Sequence, residues 1–160
     1  MEEETEGDPH QVAETNARRK AAAVAGELVL GADTVVTIDG EILGKPRDAE
    51  EAAGFLRRLA GRTHHVVGGI ALADRGEIIA SATDTTAVTF RALDEAAIAA
   101  YVAAGEWQGR AGGYAIQGRG AALVARIEGD YLNVVGLPLA RLLDLAEGPF
   151  AALFGRQGLR

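Results

Sequence analysis

The sequence predicts an α/β fold: a single layered domain in which helices flank a mixed, twisted β-sheet. Two observations predict it. Segments with the apolar spacing of helices alternate with runs of β-branched and apolar residues that are typical of strands. Short turn sequences between some of these runs add hairpins to the alternation. With 160 residues, 48% of them hydrophobic, the chain is large enough for one domain with a full core.

Four helices are expected, and each has a start or a stop signal. Aspartate precedes the first three, where its side chain can accept hydrogen bonds from free backbone N–H groups, and glycine follows them. The fourth starts at Leu137-Pro138 and stops at Gly148-Pro149. In chain order, the predicted helices cover 9–25, 49–60, 95–104 and 137–147.

Six strands are expected around these helices. Turn sequences such as Asp39-Gly40 and Asp74-Arg75-Gly76 join neighbouring strands into hairpins. In chain order, the predicted strands cover 28–38, 41–43, 63–73, 77–90, 114–117 and 121–127. We therefore expect one domain over residues 1–148 and a loosely docked tail over residues 149–160.

Composition argues against several classes of function. A formal net charge of -7 disfavours binding to a nucleic-acid backbone. The lack of cysteine excludes disulfides, cysteine-ligated zinc and thiol catalysis, and fits a cytoplasmic location. No apolar run reaches about 18 residues, so we expect no membrane partner. The three histidines are not spaced as a metal cluster, which argues against zinc.

The placement of lysine is the strongest chemical signal in the chain. Lys20 and Lys45 are the only lysines among 16 basic residues, and an ammonium group suits a phosphate oxygen. Between them lies Asp33 in an apolar strand, where a lone carboxylate is costly unless a cation pairs with it. These groups and the acidic N-terminal segment predict a metal–phosphate site. The alternative is that two lysines in an arginine-rich chain lie on the surface by chance.

Six short motifs, in order and with regular spacing, resemble those of the Maf family. The resemblance runs from about Glu3 to about Ala146, and it implies that the chain hydrolyses nucleoside triphosphates to the monophosphate and pyrophosphate. The motifs are Asn16-Ala17-x-x-Lys20-Ala21, Gly31-Ala32-Asp33-Thr34-Val35-Val36, Gly44-Lys45-Pro46, Gly61-Arg62-Thr63-His64, Tyr114-Ala115-Ile116-Gln117-Gly118 and Gly136-Leu137-Pro138-Leu139.

The resemblance also implies a substrate class. Residues 113–118 are similar to the class that acts on dTTP and UTP, and modified pyrimidine nucleotides fit the same expectation. Gln117 can offer a donor and an acceptor to a pyrimidine edge, and Thr34 is a second base-side candidate. Two alternatives stay open: a methylated-GTP pyrophosphatase of the same family, and a non-catalytic nucleotide-binding protein with a role in septum formation.

Site roles follow from the same resemblance. Asp33 is the expected catalytic carboxylate, which orients or deprotonates the attacking water, and Lys20 and Lys45 are expected to hold phosphates. Glu4 is the expected second carboxylate, with Glu3 as the alternative because a run of glutamates leaves the register open. Asp33 and Glu4 would bind a divalent cation, Mg²⁺ or else Mn²⁺.

The chain departs from the family pattern at its start. Family members begin with a strand, a Ser-x-Ser-Pro-Arg-Arg turn and a helix, and this sequence begins after that unit. We therefore expect that a form extended upstream is more active and more stable. An open sheet edge at this place would favour a homodimer.

Overall fold

The computed structural model describes residues 2–146, which form helices on both faces of one sheet. Two short 3₁₀ turns, Ala111–Gly113 and Arg119–Leu123, lie in the second half. The other elements, in chain order, are α1 Pro9–Ala22, β1 Val29–Ile38, β2 Glu41–Leu43, α2 Ala49–Leu59, β3 Thr63–Asp74, β4 Glu77–Phe90, α3 Glu95–Ala103, β5 Val124–Glu128, α4 Tyr131–Val135 and α5 Leu139–Leu145.

The sheet has five strands in the order β2-β1-β3-β4-β5. Every pairing among the described residues is antiparallel, whereas the sequence predicts a mixed sheet. The difference arises because β3 returns directly beside β1 and pairs with it in the antiparallel sense, although a helix separates them in the chain. β2 pairs only with Val36–Ile38, so on the edge of β1 that faces away from β3 the earlier residues of β1 pair with no described strand.

The predicted helix starts at Asp8, Asp48 and Asp94 are confirmed. Each aspartate accepts a hydrogen bond from the backbone N–H three residues later, at 3.0, 2.8 and 2.7 Å respectively. These bonds satisfy N–H groups that have no partner within the helix, and they fix where α1, α2 and α3 begin. None of the helices among residues 2–146 is long and apolar enough to cross a membrane.

Two predictions for the last third of the chain are wrong, and one helix there was not predicted. Residues 114–117 form no strand, because the N–H of Ala115 bonds to the hydroxyl of Tyr101 and Gly118 takes a positive φ of 146°. The last strand begins at Val124 instead of 121, after a 3₁₀ turn. Helix α4 was not expected, and it is a single short turn capped by Asp130. The predicted stop at Gly148-Pro149 and the predicted tail over 149–160 lie outside the described residues.

Helix α1 packs on one face of the sheet and the larger core lies on the other. Val12 and Ala13 of α1 pack with Val35 of β1 and Val67 of β3. The adjacent strand residues Val36 and Val66 point to the opposite face, into the core beneath α2 and α3. The main members of that core are Val36, Ile38, Leu43, Leu56, Leu59, Val66, Val88, Phe90, Ile98 and Tyr101.

Two strand glycines let α1 approach the sheet closely. A Cβ on Gly31 would lie 2.1 Å from the carbonyl oxygen of Ala17, and one on Gly69 would lie 2.2 Å from that of Ala13. No side chain fits at either position, so the alanine stripe of α1 rests on bare strand backbone. The distance between α1 and β1 is thereby fixed, and with it the distance between the polar groups that the two elements carry.

Candidate active site

A cleft of about 300 Å³ lies beside the first part of β1. It is bordered by α1, β1, the loop after β2, the residues 109–117 and the end of α4. Five of the six residues that the sequence singles out line it: Lys20, Asp33, Thr34, Lys45 and Gln117. The fold therefore gathers residues from widely separated parts of the chain around one cavity.

Asp33 lies in the middle of β1, with only 9% of its side chain exposed. Its Oδ1 receives a hydrogen bond from the Lys20 ammonium at 2.6 Å, and its Oδ2 receives one from the Asn16 side-chain amide at 3.1 Å. Both donors come from α1, one helical turn apart. A cation and an amide thus compensate the burial of this carboxylate and fix its orientation.

Glu3 bridges the two lysines. Its Oε1 lies 2.8 Å from Lys20 Nζ, and its Oε2 lies 3.2 Å from Lys45 Nζ. The bond from Lys20 is the main reason that the pKa of Glu3 is lowered. Burial lowers the pKa of Lys20, but the bonds to Asp33 and Glu3 outweigh it and raise that pKa overall. Glu3 is therefore ionised and Lys20 charged at neutral pH, and both ammonium groups lie within reach of one anion.

The sixth predicted residue, Glu4, does not contact either lysine. Its carboxylate pairs with Arg19 at 2.6 Å on the exposed side of α1. Asn16 accepts a bond from the Glu4 backbone N–H at 2.8 Å and donates one to the Glu4 carbonyl oxygen at 3.0 Å. Asn16 thereby anchors the acidic segment, and of the two candidate glutamates it is Glu3 that reaches the lysines.

Asn16 is a site residue to which sequence reasoning gave no role. It is buried in α1, with 3% of its surface exposed, and it links Asp33 to the backbone of Glu4. The signal was present, because Asn16 lies between Val12 and Lys20 at four-residue spacing on the buried stripe of the helix. A buried amide at that position needs polar partners, and the site supplies them.

Gln117 and Thr34 bring uncharged polar groups to the same cleft. They line it together with apolar groups from Val66, Ile116 and Val135. Apolar side chains with a few placed polar groups are typical of sites that bind a small molecule. The cleft therefore combines three cations, Lys20, Lys45 and Arg110, with uncharged polar and apolar groups around one cavity.

Asp33 and Glu3 are the carboxylates beside Lys20 that could bind the expected divalent cation. Among residues 2–146 there is no group of three or more histidine, aspartate or glutamate side chains arranged to hold a metal ion. Mg²⁺ commonly uses only one or two carboxylates and takes its other ligands from substrate phosphates and water. Asp33 and the neighbouring Glu3, which share Lys20 as a partner, fit an ion that arrives with a phosphate chain.

The chain is similar to known proteins over most of its length. A family model described as Maf-like protein matches residues 1–148. A dTTP/UTP pyrophosphatase of Pelotomaculum thermopropionicum is 54% identical over 142 residues, which cover 86% of this chain and 74% of that protein. One of Thermus thermophilus is 51% identical over 137 residues, covering 86% and 73%. One of Deinococcus radiodurans is 45% identical over 159 residues, covering 96% and 80%.

Proposed function

The chain belongs to the Maf family, and we propose that it hydrolyses dTTP and UTP to the nucleoside monophosphate and pyrophosphate. The observation that carries the proposal is the cleft itself, in which Asp33, Lys20 and Lys45 share a cavity with Gln117. Relatives about half identical to this chain are named dTTP/UTP pyrophosphatases, which supports the same reaction.

The lysines provide the phosphate-binding end of the proposed site. Because one carboxylate reaches both ammonium groups, at 2.8 and 3.2 Å, the two cations are close enough together to bind one phosphate chain. Their charge would stabilise the negative charge that develops when the bond to the leaving pyrophosphate breaks. The two lysines also offset, within the cleft, the negative net charge of the protein, and an anionic substrate requires such a local excess of positive charge.

Asp33 is the proposed group that orients the attacking water. Its two oxygens are each held by one donor on α1, so the carboxylate keeps one orientation while water approaches the α-phosphorus in line. A bound divalent cation, Mg²⁺ or Mn²⁺, would neutralise phosphate charge and lower the pKa of the water. Asp33, together with Glu3 or Glu4, is the proposed protein ligand for that ion.

Gln117 and Thr34 are the proposed base-side contacts. The amide of Gln117 can both donate to and accept from a pyrimidine edge without adding charge. A base that leaves such a group unpaired loses about 1–3 kcal/mol of binding. This difference would favour dTTP and UTP over other nucleotides, in the cytoplasmic setting that we propose for the reaction.

Pyrophosphate release from dTTP, UTP, CTP, GTP and methylated GTP, with and without Mg²⁺, tests this function. We expect metal-dependent release that is fastest with dTTP and UTP. Release mainly from methylated GTP would assign the other substrate class of the family. Nucleotide binding without any release would support a regulatory, non-catalytic protein instead.

The role of Asp33 is tested by the Asp33→Asn variant. Removing a water-orienting carboxylate costs about 10²–10⁴-fold in turnover, while the amide retains the size of the side chain and much of its bonding. Asp39→Asn is a matched control: Asp39 is an exposed turn residue with a φ of 55°, which asparagine also adopts. Turnover of Asp33→Asn close to that of the control would remove Asp33 from the catalytic step.

A further inference from the structure

Glu106 lies behind the loop that carries Gln117 and has no role in the proposed chemistry. Its carboxylate receives three hydrogen bonds: from the Tyr101 hydroxyl at 2.8 Å, from the Arg119 backbone N–H at 3.0 Å and from the Gly120 backbone N–H at 2.9 Å. Two of these donors belong to the backbone that follows Gln117. A side chain outside the cleft thus binds the main chain of a loop that lines it.

We infer that Glu106 is a positioning residue for nucleobase selectivity, acting by holding the loop 115–120 so that Gln117 faces the base. The inference rests on the proposed function, because it assigns Gln117 to the base side of the cleft. Gln117 itself lines the cavity, whereas Glu106 does not.

Tyr101 extends the contact to the other side of Gln117. Its hydroxyl donates to Glu106 and accepts a bond from the backbone N–H of Ala115 at 3.0 Å. The loop is therefore fixed two residues before Gln117, through Tyr101, and two to three residues after it, through Glu106 directly. Because Tyr101 is buried on α3, with 6% of its surface exposed, both attachments lead to a rigid element of the core.

The path of the loop leaves no room between its backbone and Glu106. A Cβ on Gly118 would lie 2.5 Å from the carboxylate, and Gly118 has a φ of 146°. A Cβ on Gly120 would lie 2.0 Å from the carbonyl oxygen of Ala115, so the loop also folds tightly on itself. The carboxylate sits in a concave turn of backbone N–H groups, an arrangement that binds anions well.

The charge of Glu106 matches its surroundings. Burial raises the pKa of its carboxyl, but the bonds from Tyr101, Arg119 and Gly120 outweigh burial and lower the pKa overall. An ionised carboxylate only accepts hydrogen bonds, and all three neighbours donate to it. A glutamine at this position would turn an N–H₂ group toward at least one of these donors, so Glu106→Gln keeps the size but breaks the pattern.

The test measures kcat/KM for dTTP and CTP in wild type, Glu106→Gln and the control Glu95→Gln. Glu95 lies in α3 and pairs with Arg57 at 2.8 Å on the surface, away from the cleft. We expect the dTTP-to-CTP ratio to fall about tenfold in Glu106→Gln and to stay unchanged in the control. A role in folding alone would lower both activities together, so an unchanged ratio would overturn the inference.

A second variant, Tyr101→Phe, tests the same inference independently of Glu106→Gln. Tyr101→Phe keeps the buried ring and deletes only the hydroxyl that joins Glu106 to Ala115. We expect the same loss of selectivity, and if Glu106→Gln does not fold, an unchanged ratio in Tyr101→Phe overturns the inference.

Hydrogen exchange separates this inference from the proposed function. Amide exchange over residues 115–120 should be faster in Glu106→Gln than in wild type, whatever nucleotide the protein hydrolyses. Wild type without dTTP or UTP turnover would contradict the proposed function while leaving this measurement valid. Unchanged exchange in the loop would contradict the positioning role itself.

Discussion

Asp33 is held in an apolar strand by two neighbours on α1. Lys20 compensates its charge and Asn16 its remaining hydrogen-bonding capacity, so a group that would be costly alone becomes an oriented carboxylate. Glu3 then joins Lys20 to Lys45, so Asp33, the two lysines and Glu3 form one connected set of charged side chains. A change at any member is expected to affect its neighbours, and single-variant effects in this set should not be additive.

Lys45 is the member of this set best suited to a mutational test. It is about half exposed and pairs only with Glu3 among the described residues, so its removal breaks neither bond of Asp33 to α1. We expect Lys45→Ala to lower kcat/KM for dTTP by about 10–100-fold, the loss of one charge-assisted phosphate contact. Lys45→Arg should recover only part of this, because a planar guanidinium does not replace a compact ammonium.

Arg47→Ala is the control for both Lys45 variants. Arg47 is a nearby exposed cation that pairs with Glu51 and does not line the cleft. Steady-state kinetics of the three variants with dTTP would make the comparison. Wild-type kinetics for Lys45→Arg would show that the position needs only a positive charge.

For single residues, the sequence predicted which side chains line the cleft better than it predicted which of them contact one another. The isolated lysines and the aspartate in an apolar strand are visible as unusual residue choices, and the fold brings them together. The sequence favoured Glu4 over Glu3, whereas Glu3 is the one that reaches the lysines, because Asn16 holds the backbone of Glu4 and Arg19 pairs with its carboxylate. The roles assigned to these residues stay predictions until the variants are measured.

Helix α1 is the element on which the site depends most. It supplies Asn16 and Lys20, and its contact with Gly31 and Gly69 sets how far these side chains stand from Asp33. A helix that rests on bare strand backbone cannot move closer, and it moves away as soon as a side chain is inserted.

Gly69→Ala tests this contact. The new Cβ would lie 2.2 Å from the Ala13 carbonyl oxygen, so α1 must shift; we expect a loss of about 1–3 kcal/mol in the free energy of unfolding and reduced turnover. Gly54→Ala is the control, because nothing lies within 4 Å of its Cβ position in α2. Alanine should stabilise that helix by up to about 1 kcal/mol. Urea unfolding measures the free energy of unfolding of both variants. A Gly69→Ala variant as stable as wild type would show that α1 does not pack tightly on β3.

Elements were predictable where their signals are local. Aspartate caps located the starts of α1, α2 and α3, and turn sequences located the short β1–β2 hairpin and the long β3–β4 hairpin. The predicted strand at 114–117 does not form, although its composition is typical of a strand. The bond between the Ala115 N–H and Tyr101 and the positive φ angles of the flanking glycines hold this segment in another conformation. The direction of strand pairing is likewise a tertiary property, since it depends on which strand β3 returns to.

For the whole molecule, His64 makes stability depend on pH. It is completely buried on β3, bonds to the Tyr114 hydroxyl at 2.7 Å and packs edge-on against Phe90. Burial, and to a lesser degree the charge of His65, lowers its pKa from 6.5 to about 4. The unfolded chain therefore binds a proton more readily than the folded one. The stability from neutral His64 is complete above pH 6.5 and is lost as pH falls toward 4.

A pKa change of this size corresponds to about 3 kcal/mol in the free energy of unfolding. Urea unfolding at several pH values within this window measures it. We expect the pH dependence to flatten in His64→Phe and to persist in His65→Gln, since His65 is exposed. A slope that is the same in wild type and His64→Phe would mean that other groups cause the acid sensitivity.

The fold class was predictable because it depends on the alternation of helices and strands over the whole chain, which local errors do not erase. The oligomeric state was not predictable in the same way, because it depends on which surfaces of two copies fit together, and the order of helices and strands does not show this. The homodimer expected from an open sheet edge stays a prediction, and sedimentation analysis of the purified protein would check it.

The rarity of lysine makes the cleft chemically addressable. Because the only two lysine side chains of the sequence both line it, the side chains that an amine-acylating reagent would label all lie in this cavity. Lys45, 55% exposed, should react faster than Lys20, which is 31% exposed and paired with two carboxylates. Mass spectrometry of the two labelled peptides, with and without nucleotide, would follow the occupancy of the cleft without any assay of turnover.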